Sequence, residues 1–184
     1  LTLITPPPLD TLGLWIEQLV AESTGKEGKG ILPVAGEPPL QPGEYGNDRL
    51  FVAVRMRRAD ETPRLRELAA AGHPVIDIVL EDALDLGETF YVWEFATAVA
   101  GAILGINPFD QPNVQESKDN TRRLLDEYKS RGTMGERATR PGADSSDLAS
   151  LLAKAKPGDY VAFTEYFAET RKRNDLVAAI REAV

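Results

Sequence analysis

With 184 residues, 42% of them apolar and 27% charged, the chain has the size and composition of one globular domain with a real hydrophobic core. A formal net charge of -8 and a pI near 4.8 speak against a nucleic-acid or anionic-membrane surface, while leaving room for a local basic pocket that takes a phosphorylated small molecule. The lack of any cysteine excludes disulfide frameworks, thiolate metal sites and cysteine nucleophiles, and fits a cytoplasmic protein.

No apolar run approaches the roughly 18 residues that a membrane span requires. The opening "LTLITPPPLD" lacks the basic and hydrophobic regions of a signal peptide. It also starts with Leu, so the chain is expected to be a piece of a longer protein.

In chain order, "TPPPLD" reads as a stiff extended lead-in, because three prolines forbid helix. Asp10 is expected to cap a helix whose apolar residues Leu12, Trp15, Ile16, Leu19 and Val20 recur at helical spacing. "ILPVAG" (31–36) predicts a short strand, "EPPLQPGEYGND" a loop, and "LFVAVRM" (50–56) a strand buried on both faces. A short amphipathic helix follows from Thr62 to Ala71, then a strand over "HPVIDIVL" (73–80).

A long helix is predicted from Leu86 to Leu104, with Phe90, Trp93, Ala96, Thr97 and Ala100 on one side. After the turn-rich "GINPFDQP", a helix runs from Pro112 to Arg131. Residues 132–147 read as a surface loop or linker, with Ser145-Ser146-Asp147 as a cap for a helix over 145–155. "DYVAFTEYF" is read as a strand, and a closing helix reaches Val184. Strands alternating with helices predict a mainly parallel sheet in a layered α/β fold, a single domain over 1–184.

The stretch "AESTGKEGKG" (21–30) puts a carboxylate, two hydroxyls, two lysines and three glycines behind a helix. It is not a Walker loop, which follows a strand and needs G-x-x-x-x-G-K-[ST]. Glu22 lies seven residues after Trp15 and three after Leu19, so a continuing helix would place it on the buried face. There it would be held by backbone N–H groups or kept as a general base. Lys26 and Lys29 could attract an anion, and the whole stretch reads equally as a solvated connection.

Lys118 shares a helical face with Val114, Thr121, Leu125 and Tyr128, so it snorkels outward, pairs with a carboxylate or faces a pocket. Asp110 and Gln111 precede that helix, whose first N–H groups suit anionic or hydroxyl oxygens. Glu94, mid-helix beside Trp93, reads as a helix-face ion pair or as a buried site carboxylate. His73, the sole histidine, reads as a turn residue, and a single histidine without cysteine argues against a zinc site.

Two segments together, "WIEQLVAESTGKEGKGILPV" and "GINPFDQPNVQESKDNTRRLL", resemble phosphoglucose isomerase. More narrowly, they are similar to the isomerase part of bifunctional transaldolase/phosphoglucose isomerase proteins. The family carries "ES-x-GK" after a helix and "N-x-FDQ-x-x-V-x-x-x-K" opening a later one, and both occur here in that order. With "EYGNDRLFVAVRM" and "LGETFYVWEFATAVAGAILG" between them, the resemblance covers roughly residues 10 to 130.

The resemblance implies a three-layer αβα sugar-isomerase (SIS) domain acting on glucose 6-phosphate and fructose 6-phosphate, with no metal or organic cofactor. It makes Glu22 the base that moves a proton between C2 and C1 through an enediol. Lys118 would assist ring opening and stabilise charge, and Gln111 would line the sugar site. Ser23 of the same segment, Lys26 and Glu94 join Gln111 as candidate substrate-binding residues. Such chemistry suits a carboxylate in a partly apolar pocket and a cation beside the sugar oxygens.

The family's ring-opening histidine has no match at His73, whose context "AAGHPVIDIV" differs. In the bifunctional type a histidine segment is expected beyond the chain's last residue, and the phosphate-binding SIS half before its first. The expected partners are therefore a phosphosugar, the rest of a parent polypeptide with a transaldolase barrel, and a second copy in a homodimer. A domain cut from such a parent could be inactive alone. The alternative is a sugar-phosphate-binding or dimerisation domain that keeps the scaffold without catalysis.

Overall fold

The computed structural model describes residues 1–110 and 112–133, and beyond them 149, 150, 152–156, 159, 168 and 170–183. The expected cap at Ser145-Ser146-Asp147, the strand "DYVAFTEYF" beyond Asp159 and most of the 132–147 linker lie outside the described residues. The chain divides into two compact units, Leu1–Gln115 and Glu116–Val184.

The first unit is built on three parallel strands in the order β1-β2-β3: β1 (Thr2–Ile4), β2 (Phe51–Met56) and β3 (Val75–Leu80). Leu3 faces Val52 and Val52 faces Ile76 in register. β1 is a strand that "TLI" alone is too short to announce. The strand expected over 31–36 shrinks to one bridge, Val34 beside Thr2. Its two backbone bonds are Leu3 N–H to Val34 O at 2.9 Å and Val34 N–H to Leu1 O at 2.8 Å. Pro33 has no N–H to extend that pairing, and Gly36 turns the chain away at φ 64°.

Helix α1 (Asp10–Thr24) returns from the end of β1 to the strands' amino edge, and α3 (Asp85–Leu104) does the same after β3. They run side by side, with Trp15 edge-on to Phe90 at a centroid distance of 4.5 Å near their starts. Between them and the sheet lies the main core: Leu3, Leu12, Ile16, Val20, Val52, Val54, Leu80 and Trp93. The opposite face of β2 presents Phe51 and Ala53, buried with Leu65 and Leu68 of α2 (Thr62–Ala70). β2 is thus covered on both faces, which accounts for its unbroken apolar run. The result is the expected layered α/β sandwich.

Asp10 is the first residue of α1 rather than its cap; Leu9 holds the cap position, with no side-chain hydrogen bond. Its carboxylate still favours the positive helix start. On the α2 face, His73 stands edge-on to Phe51 at 5.3 Å, and its Nε2 lies 2.9 Å from Pro42 O. A ring so engaged in packing is a structural turn residue. We therefore expect His73→Ala to destabilise the first unit by about 1–3 kcal/mol, read as a lower unfolding midpoint.

In the second unit, α4 (Pro112–Arg131) carries most of its length past Gln115, and α5 spans Arg171–Ala183. Among the described residues, no helix is long and apolar enough to cross a membrane.

Candidate functional site

Glu22 sits in the last turn of α1, and there the structure departs from expectation: it is exposed rather than on the buried face. The buried stripe is Leu12, Ile16, Val20 and Thr24, one every four residues. Glu22 projects on the flank shared with the half-buried Trp15, off the buried stripe. Its Oε1 accepts a hydrogen bond from Gln18 Nε2 at 3.1 Å. Ser23 beside it is half-buried.

The helix gives way to a shaped turn. Gly25 closes the helix by donating to Ala21 O at 2.9 Å. Thr24, fully buried, donates its hydroxyl to Val20 O at 2.8 Å and accepts Ile31 N–H at 3.0 Å, stapling the outgoing chain to the helix end. Lys26 and Lys29 pair across a two-residue hairpin, with Lys29 N–H on Lys26 O at 2.9 Å. The central residues Glu27 and Gly28 have φ of 55° and 71°, as a type I′ turn demands. A Cβ at Gly28 would meet nothing within 4 Å, so Gly28→Ala should cost only the left-handed backbone penalty. That is about 1–2 kcal/mol, read as a lower unfolding midpoint without loss of fold.

Lys26 dominates this end of the molecule. Its side chain is 4% exposed, and its Nζ lies 2.9 Å from Asp110 Oδ1. It also donates to Asn107 O at 2.9 Å and to Asp110 O. An ammonium has three N–H donors, and these three acceptors use them all. Lys29 is exposed, yet its Nζ reaches Leu104 O at 2.7 Å, the carbonyl end of α3. Both lysines of "GKEGK" therefore grip the same connection, 75 to 84 residues further along the chain.

That connection is itself closely held. Gly105 leaves α3 in the left-handed conformation at φ 67°, and Ile106 N–H returns to Gly101 O at 3.0 Å. Pro108 lies flat on Gly101, where an added Cβ would meet Pro108 Cγ at 2.6 Å. Asn107 Oδ1 accepts Phe109 N–H at 3.0 Å, an Asx turn that shapes "NPFD". The structure thus brings the segment "ESTGK" against the segment "NPFD" within the first unit. Gln111 lies outside the described residues.

Glu94 is exposed on α3, whose buried stripe is Thr89, Trp93, Thr97 and Gly101. Lys118 is exposed on α4 in the second unit, with no hydrogen bond or ion pair among the described residues. Among those residues, no three of His, Asp and Glu cluster closely enough to hold a metal ion.

The cleft that the fold type itself would suggest lies elsewhere. A cavity of about 530 Å³ opens at the carboxyl ends of β2 and β3, lined by Met56, Arg57, Arg58, Glu81 and Asp82. Open parallel sheets commonly bind ligands there. Arg57 and Glu81 are, however, already ion-paired across it. The paired motifs occupy the opposite, amino edge, and chemistry is argued from side chains rather than from fold type. In sequence, Asp110 is only a neighbour of a helix start; its role as counter-charge to Lys26 carries no local signal.

Against known proteins, the chain is 30% identical over 158 residues to the glucose-6-phosphate isomerase of Leptospira biflexa, with 65% of this chain and 35% of that protein covered. The glucose-6-phosphate isomerase of Heliobacterium modesticaldum matches at 30% with the same coverage. That of Clostridium tetani matches at 31%, again over 65% of this chain and 35% of the relative. No family model matches. The chain spans about a third of the length of these curated relatives, and the likeness read from its two motifs stands.

Proposed function

We propose that this chain is a SIS-type domain of a glucose-6-phosphate isomerase, and that its full-length parent interconverts glucose 6-phosphate and fructose 6-phosphate. The observation that carries the reading is the meeting of "ESTGK" and "NPFD", far apart in sequence, through the buried Lys26 ammonium. Those segments carry the residue types that this isomerisation needs.

In this reading Glu22 takes a proton from C2 of the open-chain aldose and delivers one to C1 through an enediol, its exposed carboxyl exchanging with solvent between the two steps. Its exposure at a helix end leaves the carboxylate reachable by a sugar, and Gln18 donates a hydrogen bond to it. Lys118, without a competing partner among the described residues, offers a cation to the sugar oxygens as negative charge develops. Gln111 and Ser23 supply hydrogen-bonding groups from the same segments, and Glu94 is a further candidate contact. The phosphate-binding half and the acid for ring opening come from the rest of the parent, which on this account includes a transaldolase barrel in a cytoplasmic fusion. The test is a coupled assay of purified parent with fructose 6-phosphate. Turnover to glucose 6-phosphate is expected, and none at all would overturn the reading.

One observation favours a second reading, a dimerisation module without catalysis. Tyr91, Phe95, Val99 and Ile103 form an exposed apolar stripe along α3. Beside it runs an apolar groove of about 390 Å³ over Ile76, Val92, Trp93 and Ala96. If the stripe pairs two copies, sedimentation of the chain gives a dimer that Phe95→Asp dissociates. A monomer at all concentrations would remove this reading.

A further inference from the structure

We infer that Lys26 is a positioning residue, and that it does not touch the phosphosugar: with Lys29 it forms a two-point clasp fixing the Glu22 turn against the segment leading to Gln111. This rests on the proposed isomerase reading and deepens it. A lysine in a glycine-rich turn after a helix invites assignment as an anion hook, yet the geometry leaves it nothing to hook with. All three ammonium donors end on protein oxygens, and the side chain is 4% exposed.

Burying an ammonium is costly unless it is paired and hydrogen-bonded, so a site converging three oxygens on one cation is built for that cation. Two of those oxygens are backbone carbonyls, of Asn107 and Asp110, which makes the contact a reading of main-chain position. The lysine therefore fixes where the "NPFD" backbone lies relative to the end of α1. Lys29 adds a second point at Leu104 O, where the negative end of the α3 dipole favours a cation. Between these points, Gly101 and Pro108 exclude side-chain bulk and let α3 and the segment pack flush. Glu22 is four residues before Lys26, so any slack in the clasp moves the carboxylate relative to the sugar. Displacements of about 1 Å can cost roughly 10²-fold in rate.

The test uses the full-length parent with Lys26→Met and Lys26→Arg, read by kcat, KM and amide hydrogen exchange. Lys26→Met frees Asp110, which is half exposed and can be solvated, so the variant is expected to fold. A clasp predicts kcat lowered roughly 10- to 100-fold, KM within about twofold, and exchange at residues 105–110 accelerated about tenfold or more. Lys26→Arg should fail to rescue, because a planar guanidinium cannot converge on three oxygens in a closed pocket. A substrate hook predicts the opposite: raised KM, unchanged exchange at 105–110, and recovery by arginine, and that pattern overturns the inference. Exchange is read without turnover. An inactive parent with accelerated exchange would therefore refute the isomerase reading while sustaining the clasp, and unchanged exchange refutes the clasp whatever the activity.

Discussion

Glu22→Gln in the full-length parent is expected to lower isomerisation in both directions by roughly 10²–10⁴-fold, the range that a positioned general base contributes. Glutamine keeps the size and the hydrogen bond to Gln18 but cannot accept the C2 proton. Because Glu22 is exposed and belongs to no core contact, the substitution should leave thermal unfolding within about 0.5 kcal/mol of wild type. KM should change little, since the step lost is one made only in the transition state. This separation of activity from stability distinguishes a catalytic carboxylate from a helix-end residue that merely solvates the turn. Glu22→Gln with full activity would remove the assignment.

The second large effect concerns the scaffold. Phe51 is 1% exposed, at the start of the central strand, and stands edge-on to Tyr45 at 4.9 Å and to His73 at 5.3 Å. Truncating it leaves a cavity between β2 and α2 that Leu65 and Leu68 cannot collapse into without dragging the helix. Phe51→Ala should destabilise the first unit by about 3–5 kcal/mol. Trp15 and Trp93 are the chain's two tryptophans and both lie in that unit, so their fluorescence reports its melting. A loss below about 1 kcal/mol would mean that this face of the sheet is not the packed layer described.

These expectations differ in how far the sequence could supply them. Helices α1, α2, α3 and α4 were legible because their apolar residues recur at helical spacing and because prolines and glycines mark their ends. β2 was legible from its continuous apolar run, and β3 from its β-branched residues, to within two residues at its start. β1 was not, because three residues ahead of a proline run offer no period to read. The 31–36 strand was overread: "ILPV" has strand composition, but Pro33 cannot donate, and only Val34 finds a partner.

The site divides in the same way. The residue types of "ESTGK" and "NPFDQ" were legible as local motifs, and with them the likeness to glucose-6-phosphate isomerases. The orientation of Glu22 was misjudged, because spacing from Trp15 and Leu19 assumes that those two residues mark the centre of the buried face, whereas they mark its flank. Trp15 and Leu19 are themselves only half-buried, while the buried stripe runs through Ile16, Val20 and Thr24 to the helix end on another side of α1. The partners of Lys26 had no local signal at all. An ion pair across 84 residues follows from tertiary packing, and neither lysine nor aspartate announces it in sequence.

The most direct test of the central claim is deuterium incorporation by the full-length parent, followed by NMR with fructose 6-phosphate in D₂O. Proton transfer by Glu22 through an enediol, with the exposed carboxyl exchanging its proton with solvent in between, predicts deuterium at C2 of the glucose 6-phosphate formed and at C1 of recovered fructose 6-phosphate, with both lowered roughly 10²-fold or more in Glu22→Gln. Incorporation at an undiminished rate in Glu22→Gln, or isomerisation by the parent with no exchange at either carbon, would contradict the account.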